Sequence, residues 1–214
     1  MNPGPAQILT CPHCGAKKEV LSLLSGNTFG QQVWSDNKSI APMLPKVSFV
    51  QKCPSCGGFY MMSRQNAEYS EGYSFEQGEL SYLDTKQAWN SLKETPDLSE
   101  GERLTLLFML IWAYNDEFTR EKAKPIIQKE QDFFHYIIDL IIEFEQLDVL
   151  LKAELLREAG RFEDSMNLLN GYSPDDEFHE KFFERLIERC QESEMRPFLV
   201  SDLFPTYSTI FVRE

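Results

Sequence analysis

Four of the five cysteines fall in two copies of one pentapeptide, Cys11-Pro12-His13-Cys14-Gly15 and Cys53-Pro54-Ser55-Cys56-Gly57. Two cysteines three positions apart can clamp one soft metal ion if the chain between them turns tightly. Proline after the first cysteine fixes φ and starts that turn, and glycine after the second permits a left-handed residue. Backbone N–H groups in such a turn point at the sulfurs and stabilise their negative charge. Together the two turns offer Cys11, Cys14, Cys53 and Cys56 as tetrahedral ligands. A shell of four thiolates leaves no open coordination position, so the expected role is structural rather than catalytic. The expected ion is Zn2+, with iron as the alternative, because thiolates suit both. Disulfides are the competing use of these residues. Met1 to Thr10 lacks a basic segment followed by a long apolar run, so no secretory signal is expected, which counts against disulfides.

The paired Cys-Pro-x-Cys-Gly units resemble the knuckles of zinc ribbons and of rubredoxins. Cys11-Pro12-His13-Cys14 is also similar to the active-site tetrad of some thioredoxin-like oxidoreductases. Those place the pair at the start of a helix behind a strand. Here Gly15 and a β-like segment follow, and a second pair is waiting. His13 is expected to be an exposed residue between two ligands.

The elements that must hold these cysteines are short strands. The 38 residues between Cys14 and Cys53 hold β-like segments at Lys18–Leu24, Phe29–Trp34 and Val47–Gln51. Ser35-Asp36-Asn37-Lys38 has the composition of a hairpin loop, and Pro42 and Pro45 argue against helix. Phe59 to Met62 continues the β pattern, and the polar stretch from Ser63 to Gly78 approaches a domain boundary.

Helical signals follow. Asp84 is expected to cap a helix from Thr85 to Lys93, and Ser99-Glu100-Gly101-Glu102 has capping-box spacing ahead of the apolar run to Phe118. Pro125 is expected in the first turn of the next helix, and Pro174 at the first position of the last, behind Ser173. The tail from Pro197, with Phe198, Leu199, Phe204, Tyr207, Ile210 and Phe211, is apolar enough to pack back onto the helices. Between them, Leu150 to Leu169 resembles a tetratricopeptide-repeat hairpin through Ala153, Leu156, Gly160, Phe162 and Leu169. Ser165 stands where that pattern usually has alanine, and no proline ends the unit at the usual place. The resemblance implies stacked helix pairs with a concave face that binds a peptide or partner protein. The whole chain resembles bacterial proteins of unassigned role that join a four-cysteine ribbon to such helices.

The expected fold class is therefore α+β: a small β-rich zinc ribbon over 1–83, then an acidic, all-α, repeat-like helical domain over 84–214 with the tetratricopeptide-like hairpin near 150–170. Charge divides the same way. Residues 1–95 carry 8 Lys/Arg and 8 Asp/Glu, so the net charge of −13 lies entirely in residues 96–214. An acidic half repels phosphate backbones, so any nucleic-acid contact falls to the ribbon, where Lys17, Lys18, Lys46 and Lys52 flank the cysteines. No run approaches the roughly 18 apolar residues of a membrane span, and a cytoplasmic location is expected by default.

Enzyme signatures are sparse. There is no phosphate-binding glycine loop and no Gly-x-Ser-x-Gly elbow. His135 lies in a very apolar helix and is expected to be a core residue, and His179 is expected to be exposed. Asp175-Asp176-Glu177 suits helix capping better than metal catalysis. The functional expectation is a non-catalytic interaction or adaptor protein whose partner is another protein or peptide. The alternatives are a nucleic-acid-binding ribbon and, behind that, thiol redox or iron electron transfer.

Overall fold

Short strands precede residue 70 and six α-helices follow it in the computed structural model, which describes residues 1–66, 68–96, 98–120 and 124–204. The strands are β1 (Asn2–Pro3), β2 (Gln7–Thr10), β3 (Lys17–Val20), β4 (Leu23–Ser25), β5 (Gln32–Val33), β6 (Ser39–Ile40), β7 (Val50–Lys52), β8 (Phe59–Met61) and β9 (Glu68–Tyr69). The helices are α1 (Tyr82–Leu92), α2 (Glu100–Phe118), α3 (Gln128–Ile142), α4 (Val149–Glu158), α5 (Phe162–Leu169) and α6 (Glu177–Gln191). The chain is thus α+β. It divides into two compact units. Met1–Gln31 and Ile40–Leu110 form the first; Gln32–Ser39 and the chain from Ile111 onward form the second. Among the described residues, no helix is long and apolar enough to cross a membrane.

In the first unit, β2 pairs antiparallel with both β3 and β9, β7 pairs with β8, and β1 pairs with β4. Inward-pointing Leu9, Val20 and Tyr60 form a small core with Cys11 and Cys53. Helix α1 packs against β8 and buries Ala88, Trp89 and Leu92. Its cap is Ser81, whose Oγ accepts from the Asp84 N–H at 3.1 Å. Asp84 is therefore not the cap expected from the sequence. It lies one turn in, where it accepts from Ser81 Oγ at 3.0 Å and pairs with Lys52 at 2.7 Å. The capping box before α2 forms as expected. Glu102 N–H donates to Ser99 Oγ, and Ser99 N–H donates back to Glu102 Oε2 at 3.1 Å.

The second unit is built on α3 to α6 and the second half of α2. Leu150, Ala153, Leu169, Phe182, Leu186, Phe198 and Leu203 make one buried cluster, so the tail does fold back as far as Phe204; Tyr207, Ile210 and Phe211 lie outside the described residues. Gly160 joins α4 to α5 at φ +73°, a conformation that costs a side-chain-bearing residue about 1 kcal/mol or more. Ser165 is fully buried in the tight hairpin interface because its hydroxyl donates to the Ala153 carbonyl at 2.8 Å. Two helices start later than their prolines suggested. Ile127, extended at ψ 150°, precedes α3. Asp176 rather than Ser173 caps α6, accepting from the His179 N–H at 2.8 Å. An aspartate side chain that reaches the third N–H fixes the start more firmly than proline's φ alone.

The second unit also takes the β5–β6 hairpin. Trp34 bridges to Leu199, and Ser35 and Phe198 exchange two hydrogen bonds of 2.9 Å, N–H to carbonyl and N–H to Oγ. A segment between the two cysteine pairs is thereby built into the helical unit.

The capping box yields a pH prediction. The Arg64 guanidinium, hydrogen-bonded to Glu102, brings that carboxyl from 4.5 down to about 2, with the Ser99 N–H adding to it. A depressed carboxyl contributes stability above its unfolded value and loses it as pH falls through the folded value. The difference in thermal midpoint between wild type and Glu102→Gln is expected to be present at pH 7 and to vanish between pH 4.5 and about 2. Calorimetry of both proteins across that window is the check.

Candidate metal centre

Each cysteine turn closes one strand pair in the same register. Thr10 faces Lys17 across β2–β3 and Lys52 faces Phe59 across β7–β8, so residues 11–16 and 53–58 are equivalent loops. Their backbones repeat. Cys11 N–H donates to the Ala16 carbonyl at 2.9 Å, and Cys53 N–H to that of Gly58 at 2.8 Å. Gly15 N–H donates back to the Cys11 carbonyl at 2.9 Å, and Gly57 N–H to that of Cys53 at 3.0 Å. Gly15 and Gly57 both sit in the left-handed region, at φ 74° and 72°. In each loop the first cysteine is buried and the second exposed.

The two loops bring all four sulfurs together. Every pair of Sγ atoms lies within 4.8 Å, with Cys11–Cys56 at 3.7 Å and Cys14–Cys53 at 3.6 Å. Four thiolates about 2.3 Å from a tetrahedral ion stand about 3.8 Å apart along each edge. The shortest separations run between the loops and match that edge. These four residues can hold a metal ion.

The electrostatics argue for a cation. Backbone N–H groups of Cys56 and Ser55 hold the Cys53 thiol down at about 6. The Ala16 N–H favours the Cys14 thiolate, yet the neighbouring Cys56 and Cys53 sulfurs outweigh it and push that thiol up to about 12. Four sulfurs in so small a volume cannot all ionise against one another. A divalent ion among them reverses the balance, because a coordinated thiol gives up its proton outright.

His13, expected to be merely exposed, ties one loop to the other. Its Nε2 lies 3.1 Å from the Phe59 carbonyl oxygen. Its ring also covers Gly58, where an added Cβ would stand 2.6 Å from His13 Cδ2. Beneath the cluster, Tyr60 is 3% exposed; burial, reinforced by the nearby sulfurs, raises its phenol to about 12.

Other candidate residues have structural explanations. His179 Nδ1 lies 2.8 Å and 3.0 Å from carboxylate oxygens of Asp176 and Asp175, and the same Asp176 oxygen caps α6, so the trio completes a helix start. His135 Nε2 meets the Ala159 carbonyl at 2.8 Å. Lys17 pairs with Glu68, Lys18 with Gln51 and Glu76, and Lys52 with Asp84. Phe59 and Tyr60 are buried, so neither ring faces solvent for base stacking.

Sequence reasoning missed a buried polar cluster in the second unit, made of Asp36, Asn115, Glu154, Arg157 and Glu158, all at most 1% exposed. Glu154, Arg157 and Glu158 are charged residues at helical spacing, a pattern usually turned to solvent. The one legible sign was Asn115, a polar residue inside the apolar run of α2.

No family model matches the chain, and neither a curated protein nor a solved structure matches it.

Replacing one cysteine leaves three ligands for one ion. Cys11→Ser and Cys53→Ser are expected to lose bound metal and the amide protection of β2–β3 and β7–β8, while α4–α5 keeps its protection and Cys190→Ser changes none of these. Hydrogen exchange with elemental analysis of the same samples reads both outcomes.

Proposed function

We propose that the chain is a non-catalytic interaction protein, with a zinc-stapled ribbon in its first unit and a tetratricopeptide-like helical surface for a protein or peptide partner in its second. The observation that carries this reading is the four-sulfur shell: cysteines supply four donors from two equivalent loops, and among the described residues no further His, Asp or Glu joins them. Such a shell serves folding, because a catalytic ion keeps a position for water or substrate. Zinc, which has no redox chemistry, suits that role better than iron.

The partner surface is proposed on the helices. An open cleft of about 480 Å³ runs along α3, α4 and α5. Ile142, Leu156 and Leu168 line it, with Lys152, Arg161, Asp164 and Asn167 as polar groups. An apolar floor with a few polar groups fits an extended or helical peptide. The nucleic-acid reading has less support: three of the four ribbon lysines are engaged with acidic or amide side chains, and Phe59 and Tyr60, the rings beside the second cysteine pair, are buried. A cytoplasmic location accords with reduced cysteines.

Purified protein is expected to be colourless and to carry about one zinc per chain, a stoichiometry set by four ligands per ion. Lys152→Glu with Leu168→Asp is expected to abolish capture of a specific partner in affinity purification while leaving the zinc content unchanged. Turnover of a substrate without a captured partner would overturn the reading, and a coloured, iron-loaded protein would move it to electron transfer.

A further inference from the structure

The buried cluster of the second unit contains more carboxyl groups than its cations can neutralise. Arg157 of α4 binds Glu154 with both ends of its fork, Nε to Oε2 at 2.7 Å and Nη2 to Oε1 at 2.6 Å. Its remaining donors go to the Glu194 and Arg196 carbonyls. Arg120, just past α2, binds Asp36 of the β5–β6 hairpin and lies 4.5 Å above the Trp34 ring. Its Nε engages Asp116, which also pairs with Lys38 nearer the surface. Each guanidinium thus has its own buried carboxylate, and Glu158 is left over. One oxygen of Glu158 accepts from Asn115 Nδ2 at 2.8 Å. The other accepts from no N–H donor, and its nearest cationic nitrogen, Arg157 Nη2, is 3.9 Å away; the Glu154 carboxyl is its side-chain hydrogen-bonding neighbour.

A buried carboxylate in that position is an uncompensated charge, one of the costliest groups a protein interior can hold. As the neutral acid it carries its own hydrogen and no net charge. Asn115 makes the choice matter for the fold. The same amide nitrogen that donates to Glu158 also donates to Asp36 Oδ2 at 2.9 Å, so one side chain bridges α4 to the hairpin. Two ionised carboxylates across one amide repel each other.

We propose that Glu158 stands in the fold as the neutral acid, and that its ionisation unlatches the Gln32–Ser39 hairpin from α4, so that closure of the helical unit depends on pH. The groups around Glu158 agree. Burial holds its carboxyl well above the ordinary 4.5, the charges of Glu154 and Asp36 push the same way, and Arg157 only partly opposes them. Among the described residues, Cys190 of α6, the Arg120–Asp116 pair, Glu194 and Arg196 beside Arg157, and His135 against the Ala159 carbonyl also neighbour the cluster, and burial keeps the Cys190 thiol raised. A raised carboxyl contributes its full stability below its unfolded value and loses it as pH rises through the folded one. The latch is therefore strongest below 4.5 and weakens as pH rises from there toward the raised folded value.

Hydrogen exchange of the full chain, corrected for intrinsic base catalysis, tests this against Glu158→Gln, which keeps the shape and removes the ionisation. In wild type, residues 32–39 and 194–199 are expected to lose protection at least severalfold as pH rises from 4.5 to the alkaline range, while Glu158→Gln stays flat and protected. Identical profiles in the two proteins overturn the proposal, as does a folded Glu158→Gln whose hairpin is already open at neutral pH. Should the variant fail to fold, infrared spectra of wild type with carbon-13 glutamate decide. A protonated-carboxyl band at neutral pH that bleaches on alkalinisation is expected, and its absence overturns the proposal.

Discussion

Four sulfurs held within 4.8 Å of one another are the constraint on which the first unit depends. Thiols so crowded are poor company for each other, and the strands that carry them are too short to bury much. Leu9, Val20 and Tyr60 are the buried apolar residues around Cys11 and Cys53, with Ala16, Val47 and Met62 only partly buried against them. Pairs of strands three or four residues long are marginal without a staple. A cation at the centre turns the mutual repulsion of thiolates into attraction and ties the β2–β3 loop to the β7–β8 loop. His13 serves the same junction from the side, packing on Gly58 and meeting the Phe59 carbonyl across the two loops.

The second unit solves the opposite problem. Its apolar cluster around Leu150, Phe182, Leu186 and Phe198 suffices for a core, and the polar residues sealed beside it specify which segments close it. Arg157 reaches the carbonyls of Glu194 and Arg196, and Asp36 collects Asn115, Arg120 and the Trp112 indole N–H. Apolar contact alone would accept many tails and many hairpins. A buried polar network favours a segment whose donors and acceptors match.

Local chemistry was legible in the sequence, and long-range assignment was not. Proline and glycine around each cysteine pair foretold two tight turns, and both glycines do take positive φ. Ser99 and Glu102 foretold a capping box, and Gly160 a hairpin turn, because those residue types act within four positions of themselves. Asp84 and Ser173 misled for a related reason: several residues in a row could have capped, and the choice fell to contacts with Ser81, Lys52 and His179. The docking of residues 32–39 left no trace in periodicity. Ser35, Asp36 and Asn37 look like an exposed loop, yet Ser35 and Asp36 are 3% and 0% exposed because their partners lie about eighty to one hundred and sixty residues away. Polar residues buried by distant polar residues are invisible to a pattern that equates polarity with solvent.

That hairpin gives the long spacer between the cysteine pairs a physical meaning. A metal ion bound by Cys14 and Cys53 closes a loop of 38 intervening residues, and closing a loop costs entropy that grows only slowly with its length. Most of such a loop could therefore have been dispensable slack. Instead the chain leaves the first unit after Gln31, contributes Gln32–Ser39 to the second, and returns at Ile40. The ends of that excursion are fixed by strands on either side of the cysteine turns, and its tip is fixed by Ser35 and Asp36. Each anchoring removes freedom that the other would otherwise have to remove.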